Sequence, residues 1–400
     1  MNKIITRIIN LIIISNVVLF CSCSNSEFES RLLQDSITNV SETQIFIENA
    51  DEPQAKSFSE STIEITDYEK IDISDFESQR LTLDVYSGNN LFLTYMNDGY
   101  LYLYLYNTES KEQKLISEIE WNAMYCSPMI INGRYYVIMP SKNTEDGLVS
   151  KLYVYDVESD EFYEADSFYA HNIVQYWTCV NDDKLAYVYY ESESKDRIIR
   201  LYDFSEKSYK ELYRIDGQDK YSPMGLTFNG ENLVLALQLY NEEYETETVL
   251  KEINLQGNEV TSTSTYEYPL SLIRDVFYNN GYYITYGNRF RAKQDYSTVY
   301  SIIENNEIKT VLSTDKKLKF PMNFFTDNNL SFYTCANNRD IVSVNITDGE
   351  IKYYDIVVPD CSYMQCAVSN ERNDIAVIKY SDENQTKSCL VLITNDKISE

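Results

Sequence analysis

Two kinds of turn signal alternate along the chain from residue 88 to residue 397, and each occurs seven times. The first kind is Gly88-Asn89-Asn90, Asn132-Gly133, Asn181-Asp182-Asp183, Asn229-Gly230, Asn279-Asn280-Gly281, Asp327-Asn328-Asn329 and Asn370-Glu371-Arg372-Asn373. Asn, Asp and Gly accept the positive φ that tight hairpins demand. Stepping from Asn89 through Asn132, Asn181, Asn229, Asn279 and Asp327 to Asn370 takes 43, 49, 48, 50, 48 and 43 residues. The second kind covers 107–111, 156–160, 203–207, 255–258, 304–306, 347–349 and 395–397.

A strand with a recurring pattern precedes the second signal. In Tyr100-Leu101-Tyr102-Leu103-Tyr104-Leu105-Tyr106-Asn107, Tyr and Leu alternate, so one face is all Tyr and the other all Leu. Leu152-Tyr153-Val154-Tyr155-Asp156 and Ile199-Arg200-Leu201-Tyr202-Asp203 repeat it. With 37 Tyr against 2 Trp and 1 His, the chain favours half-buried pleated surfaces. Two hairpins per repeat give four short strands, which predicts an all-β chain: a seven-bladed β-propeller of four-stranded antiparallel blades, with a six- or eight-bladed ring as the alternative count. Each strand is then buried between neighbouring blades, which places the Tyr face in packing rather than in binding. The last repeat stops after its third strand. The unassigned strand Ser61–Thr66 is expected to supply the missing outer strand and close the ring, removing exposed edges.

The N-terminus reads as an address. Lys3 and Arg7 precede a nearly unbroken apolar run from Ile8 to Phe20, too short for a comfortable membrane span. The run ends in Phe20-Cys21-Ser22-Cys23, which resembles the lipobox of bacterial lipoprotein signal peptides. The resemblance implies cleavage after Ser22 and lipidation of Cys23, with the protein held outside the cytoplasmic membrane. An ordinary secretory signal or an uncleaved anchor is the competing reading. The expected domains are a signal peptide over 1–22, a lipidated N-terminus with flexible tether over 23–60, and the propeller over 61–400. As a coil, the tether reaches about 35 Å.

The formal charge of −29 argues against nucleic acid as a partner, because phosphate binding needs clustered Lys and Arg. It implies a self-repelling soluble surface, or an acidic patch for cations or basic peptides. Six Cys lie outside the lipobox: Cys126, Cys179, Cys335, Cys361, Cys366 and Cys389. They form no CxxC, and a single His makes a zinc site of N and S ligands improbable. No metal and no cofactor is expected. Buried free thiols are expected, with a pair among Cys361, Cys366 and Cys389 as the exception.

The tight turns should gather on one face of the propeller. The connections between second and third strands, and those between blades, fall on the other. On that side come Trp121, Tyr125, His171, Tyr176, Trp177, Tyr221, Arg274 and Tyr363. Arg289, Arg291 and Lys293 add one basic loop to an acidic chain. Two readings stand: an aromatic-lined mouth for sugars or a peptide, or a plug of side chains packing the channel. Pro128, Pro223 and Pro321 are expected to open inner strands, where Pro is tolerated. Catalysis has little support. No GxSxG surrounds a Ser, and no sialidase aspartate box or DxDxDG calcium loop is present. Paired carboxylates remain open.

In outline the whole chain resembles bacterial extracytoplasmic lipoproteins with WD40-like or YncE/TolB-like propellers, although the Gly-His and Trp-Asp signatures of WD40 repeats are missing. The resemblance implies a non-enzymatic binding or assembly module, its partners a membrane reached through the lipid and a surface polysaccharide or protein. The alternative is a carbohydrate-active enzyme, a glycoside hydrolase or lyase, with paired carboxylates at the channel.

Overall fold

Period-two alternation makes strands, and the computed structural model has no helix among its described residues. It describes residues 57–64, 69–72, 81–122, 125–170, 178–191, 193–230, 232–240, 246–256, 260–268, 271–279, 282–291, 295–304, 307–314, 331–336, 340–345, 350–357, 363–368, 375–381 and 388–394. All of them belong to one unit, Pro53–Glu400. They build seven sheets of four strands each.

Five sheets follow chain order. The first contains Leu81–Ser87, Asn90–Asn97, Tyr100–Asn107 and Gln113–Glu120, and the fifth contains Ser271–Asn279, Tyr282–Arg291, Asp295–Glu304 and Glu307–Thr314. The first strands of neighbouring sheets pack together. Leu81–Ser87 touches Tyr125–Ile131 of the second sheet and Tyr363–Val368 of the seventh. Tyr221–Phe228 of the fourth touches Thr178–Asn181 of the third and Ser271–Asn279 of the fifth. These are therefore the inner strands.

The last two sheets are completed by residues from the N-terminal side. Ser57–Glu64 pairs in parallel with Glu350–Val357 of the sixth sheet, and Glu69–Asp72 pairs antiparallel with Ser388–Thr394 of the seventh. The closing role was expected of Ser61–Thr66. The structure instead puts Glu69–Asp72 at the outer edge of the last sheet and the preceding strand one sheet earlier. Alternating residues such as Ser57-Phe58-Ser59-Glu60 suit either edge, so register against the edge decides the place, and propensity cannot. The first of these strands starts at Ser57, inside the stretch read as tether. The inner strand expected around Pro321 lies outside the described residues.

Packing between sheets explains the two-faced strands. Leu101 and Leu103 of the first sheet are buried against Ile130, Tyr136 and Ile138 of the second. Ile131, Val137 and Leu152 of the second meet Leu185, Tyr187 and Tyr202 of the third. Ile199 and Leu201 of the third meet Leu226, Leu233 and Leu235 of the fourth, and Val234 and Leu250 of the fourth meet Val276 and Ile303 of the fifth. Each such fully buried side chain contributes roughly 1.5–3 kcal/mol.

The register repeats in a detail the sequence pattern does not display. An unpaired residue interrupts the outer strand of each of the first five sheets, at Ile116, Ala165, Leu212, Thr261 and Val311. Inner strands bulge too, at Asp84, at Ser127-Pro128, at Met224 and at Arg274. This corrects the expected role of the prolines. Pro128 is the fourth residue of its strand and Pro223 the third, and both sit at the bulge. A bulge already interrupts the ladder, so it tolerates the missing N–H. Pro321 lies outside the described residues.

The turns between first and second and between third and fourth strands fall on one face, but tight turns are not confined to it: Asp98-Gly99, with positive φ at both residues, joins the second and third strands of the first sheet at the other end. Positive φ occurs at Gly88, Asn132, Gly133, Asp182 and Gly230. In three sheets the two turn types are joined by a backbone hydrogen bond: Thr108 N to Asn89 O, Val157 N to Arg134 O and Phe204 N to Asp183 O, at 2.8, 2.9 and 2.9 Å. Asn107, Asp156 and Asp203 cap the second turn by accepting from backbone N–H groups two and three residues on. Sheets are also linked turn to turn. Asn132 donates to the Asp182 carbonyl, and Asn181 donates to that of Gly230 at 3.3 Å.

Candidate binding face

The opposite face is set by where the inner strands begin. Tyr125, Tyr221 and Tyr363 are the first residues of the inner strands of the second, fourth and seventh sheets. They hold equivalent places in the ladder, paired with Pro140, Leu239 and Ser381. In the fifth sheet the inner strand opens with Ser271, which pairs with Arg289 of the basic run. Four inner-strand ends thus bring three Tyr and one Arg to the same end of their sheets. Arg274 stands apart, three residues further in, at the bulge.

Tyr221 is the best defined of these. It is half-buried, and its hydroxyl donates to Glu247 on the third strand of the same sheet. That hydrogen bond, then burial, pushes the phenol up, so it remains a donor. The approach to Tyr221 is held by a buried Arg197, which donates to the carbonyls of Asp219 at 2.9 Å, of Gly217 and of Tyr221 itself. Asp196 accepts from Gly217 N and from Arg214, both at 2.8 Å. A Cβ at Gly217 would lie 2.6 Å from the Ser194 carbonyl, so only glycine lets the two loops approach this closely. The loop before Tyr221 is therefore fixed before any ligand arrives.

Trp121 lies elsewhere. It follows the outer strand Gln113–Glu120, its backbone N–H donates to Gly99 O at 2.7 Å, and its ring packs on the apolar layer between the first and second sheets. It stands at the rim, away from the inner strands. His171, Tyr176, Trp177 and Cys23 lie outside the described residues.

Two acids of the inner strands escaped the sequence reading, Asp84, half-buried, and Asp275, buried. Asp84, at the inner-strand bulge of the first sheet, accepts through Oδ2 from Thr94 and from the Tyr136 hydroxyl of the second sheet at 2.9 Å. Its Oδ1 is buried without a partner. Burial raises its carboxyl to about 7 against those two hydrogen bonds. Asp275 accepts from Val276 N at 2.8 Å and from the Leu226 amide of the fourth sheet, and burial pushes it well up. It reaches Leu226 because Gly225 lies there; a Cβ would stand 2.5 Å from Asp275 Oδ1 and 2.7 Å from Val276 N. Both acids clasp neighbouring sheets. Among the described residues no three His, Cys, Asp or Glu side chains come together as metal ligands. Cys179 is a free thiol, pushed up by burial and then by Asp275.

The arrangement of sheets is similar to that of solved propellers. The β-propeller domain of the trilobed protease from Pyrococcus furiosus, which has an open velcro topology, superposes with a TM-score of 0.53 at 13% identity, over 79% of this chain and 97% of that one. An oligogalacturonate lyase in complex with manganese gives 0.51 at 10% identity, over 82% and 96%. A prolyl endopeptidase gives 0.50 at 12%, over 78% of this chain but 46% of its own. At such identities the likeness establishes the fold, a β-propeller, and carries no activity. No protein-family model and no curated protein matches the chain.

Proposed function

We propose that the protein is an extracytoplasmic propeller of seven blades, closed into a ring by residues 57–72 and anchored to the bacterial cell membrane through a lipid on Cys23. It serves as a non-enzymatic binding or assembly module for a surface polysaccharide or protein. The signal at residues 1–22 and the tether after it carry the location. One observation carries the binding site: Tyr125, Tyr221 and Tyr363 open three inner strands at the same end, with Arg289 opposite the first residue of a fourth. Tyrosine at these positions suits a binding role, since an aromatic ring offers flat contact area at low entropic cost. The fixed loop before Tyr221 keeps that cost low.

The carbohydrate-active alternative requires two carboxyls about 5–10 Å apart in an open pocket. Of the two inner-strand acids described above, Asp84 is engaged with Thr94 and Tyr136 and Asp275 with backbone amides, so both are committed to holding sheets together.

The test is a glycan and peptide array probed with the intact protein in detergent, beside Tyr221→Ala and Tyr363→Ala. Binding to a defined glycan or peptide, weakened about tenfold in either variant, is the expected result. Hits that bind both variants as well as the parent overturn the mouth. Turnover of a glycan hit replaces the binding module with the enzyme reading.

A further inference from the structure

A second aromatic surface lies on the first sheet, away from the inner-strand ends. Tyr102 pairs with Tyr95 on one side and with Glu118 on the other. Its ring stands 6.2 Å from that of Tyr95 and 6.4 Å from that of Tyr100, tilted by 45° and 48°. Burial falls along this face. Tyr106 is 5% exposed and packs with Leu81, Leu83 and Leu93, whereas Tyr104 and Tyr102 are half-buried and Tyr100 is 37% exposed. The Tyr face expected to be packing throughout is therefore packed at one end and open at the other. Burial, then Glu118, Tyr100, Asp98 and Tyr95, push the Tyr102 phenol up, which keeps its hydroxyl a donor.

We propose that Tyr100 and Tyr102, flanked by Glu118 and Asp98, form a stacking platform for a neutral polysaccharide, a site separate from the inner-strand mouth. A pyranose ring offers an apolar face to an aromatic ring and hydroxyl groups to phenols and carboxylates, and this surface presents both kinds of partner. The flanking carboxylates and the net charge of −29 repel acidic glycans and phosphates. Size separates a glycan from a protein partner. The two tyrosines supply at most roughly 300–500 Å² even if fully covered, short of the roughly 800 Å² per partner of a stable protein interface. A single polysaccharide strand needs far less.

Affinity electrophoresis of the intact protein in gels containing laminarin, glucomannan or dextran, with polygalacturonate as the acidic comparison, tests this. Retardation by at least one neutral polysaccharide is expected. It should weaken about tenfold in Tyr102→Ala and in the more exposed Tyr100→Ala, and persist in Tyr102→Trp. Thermal melts identify any variant that loses its fold, and Tyr100→Ala, at an exposed position, then carries the test. No retardation by a neutral polysaccharide, retardation by polygalacturonate alone, or retardation unchanged in both alanine variants overturns the proposal. Retardation lost only in Tyr221→Ala also overturns it while leaving the mouth standing. Retardation lost at Tyr102 and kept in Tyr221→Ala supports this site whatever becomes of the mouth.

Discussion

Replacing Asp166 by alanine is expected to lower the unfolding free energy by about 3–5 kcal/mol, read from urea denaturation at neutral pH. Asp166 follows the outer-strand bulge of the second sheet and is buried. It accepts from Arg200 at 2.6 Å, from the Tyr187 hydroxyl and from Ser167 N at 2.7 Å. Arg200 and Tyr187 belong to the third sheet, so one carboxylate ties two sheets together. The Arg200 guanidinium lies 4.8 Å from the Tyr189 ring centroid and 4.5 Å from that of Tyr209, with its side chain 15% exposed. Without Asp166 that cation keeps its aromatic neighbours but loses its counter-charge in a dry setting, and a buried phenol loses its acceptor. Unpaired buried charge is what makes such a substitution costly. Asp166→Leu with Arg200→Met removes both charges and should recover most of the loss. A cost below about 1 kcal/mol for Asp166→Ala would mean that water reaches the pair and that the junction is held by apolar contacts alone.

The second large effect is a dependence on pH. The Asp84 carboxyl, raised to about 7 in the folded protein, binds its proton more tightly there than in the unfolded chain. Its contribution to stability is therefore full below the unfolded value near 4. It is lost as pH rises through 7, and flat above that. The rise corresponds to about 4 kcal/mol, or about 3 kcal/mol after allowing for solvent reaching part of the residue. Asp84→Asn keeps the shape and removes the titration. The stability of Asp84→Asn relative to the parent should increase by about 3 kcal/mol between pH 4 and pH 8. Parallel stability curves for the two proteins over that range would show that Asp84 ionises freely. Asp156 titrates in a different window and with the opposite sign. The hydrogen bonds from Arg134 lower it to about 2, so its contribution is present above about pH 4 and lost as pH falls through 2.

The fold was legible because turn chemistry is local. Asn132, Gly133, Asp182 and Gly230 adopt the positive φ their types suggest, and Asn107, Asp156 and Asp203 cap the turns they mark. The outer-strand bulges were hidden, since Ile116 or Leu212 at a bulge leaves the apolar pattern plausible. Asp84 and Asp166 carry no signal in the sequence because their partners lie on neighbouring sheets, 52 residues away at Tyr136 and 34 at Arg200. The strand expected over Ser61–Thr66 lies in the right region, but Glu69–Asp72 takes the outer edge of the last sheet, because edge register depends on a partner about 300 residues distant. At the binding face, the common position of Tyr125, Tyr221 and Tyr363 follows directly from the repeat. The rim position of Trp121 depends on the end of an outer strand, which turn signals do not mark. The Tyr face of Tyr100–Asn107 was expected to pack between sheets; burial falls from Tyr106 to Tyr100, and alternation gives two faces without saying how far a neighbour covers each.

The account rests on residues 57–72 joining the last two sheets. Hydrogen–deuterium exchange of the intact protein, followed in peptides covering 57–64 and 69–72, measures that pairing without altering the chain. Protection within about tenfold of that in 350–357 and 388–394, their partner strands, is the predicted result. Exchange in 57–64 and 69–72 at the rate of an unstructured peptide, beside protected partner strands, would contradict closure by these residues and with it the proposed ring and its proposed binding face.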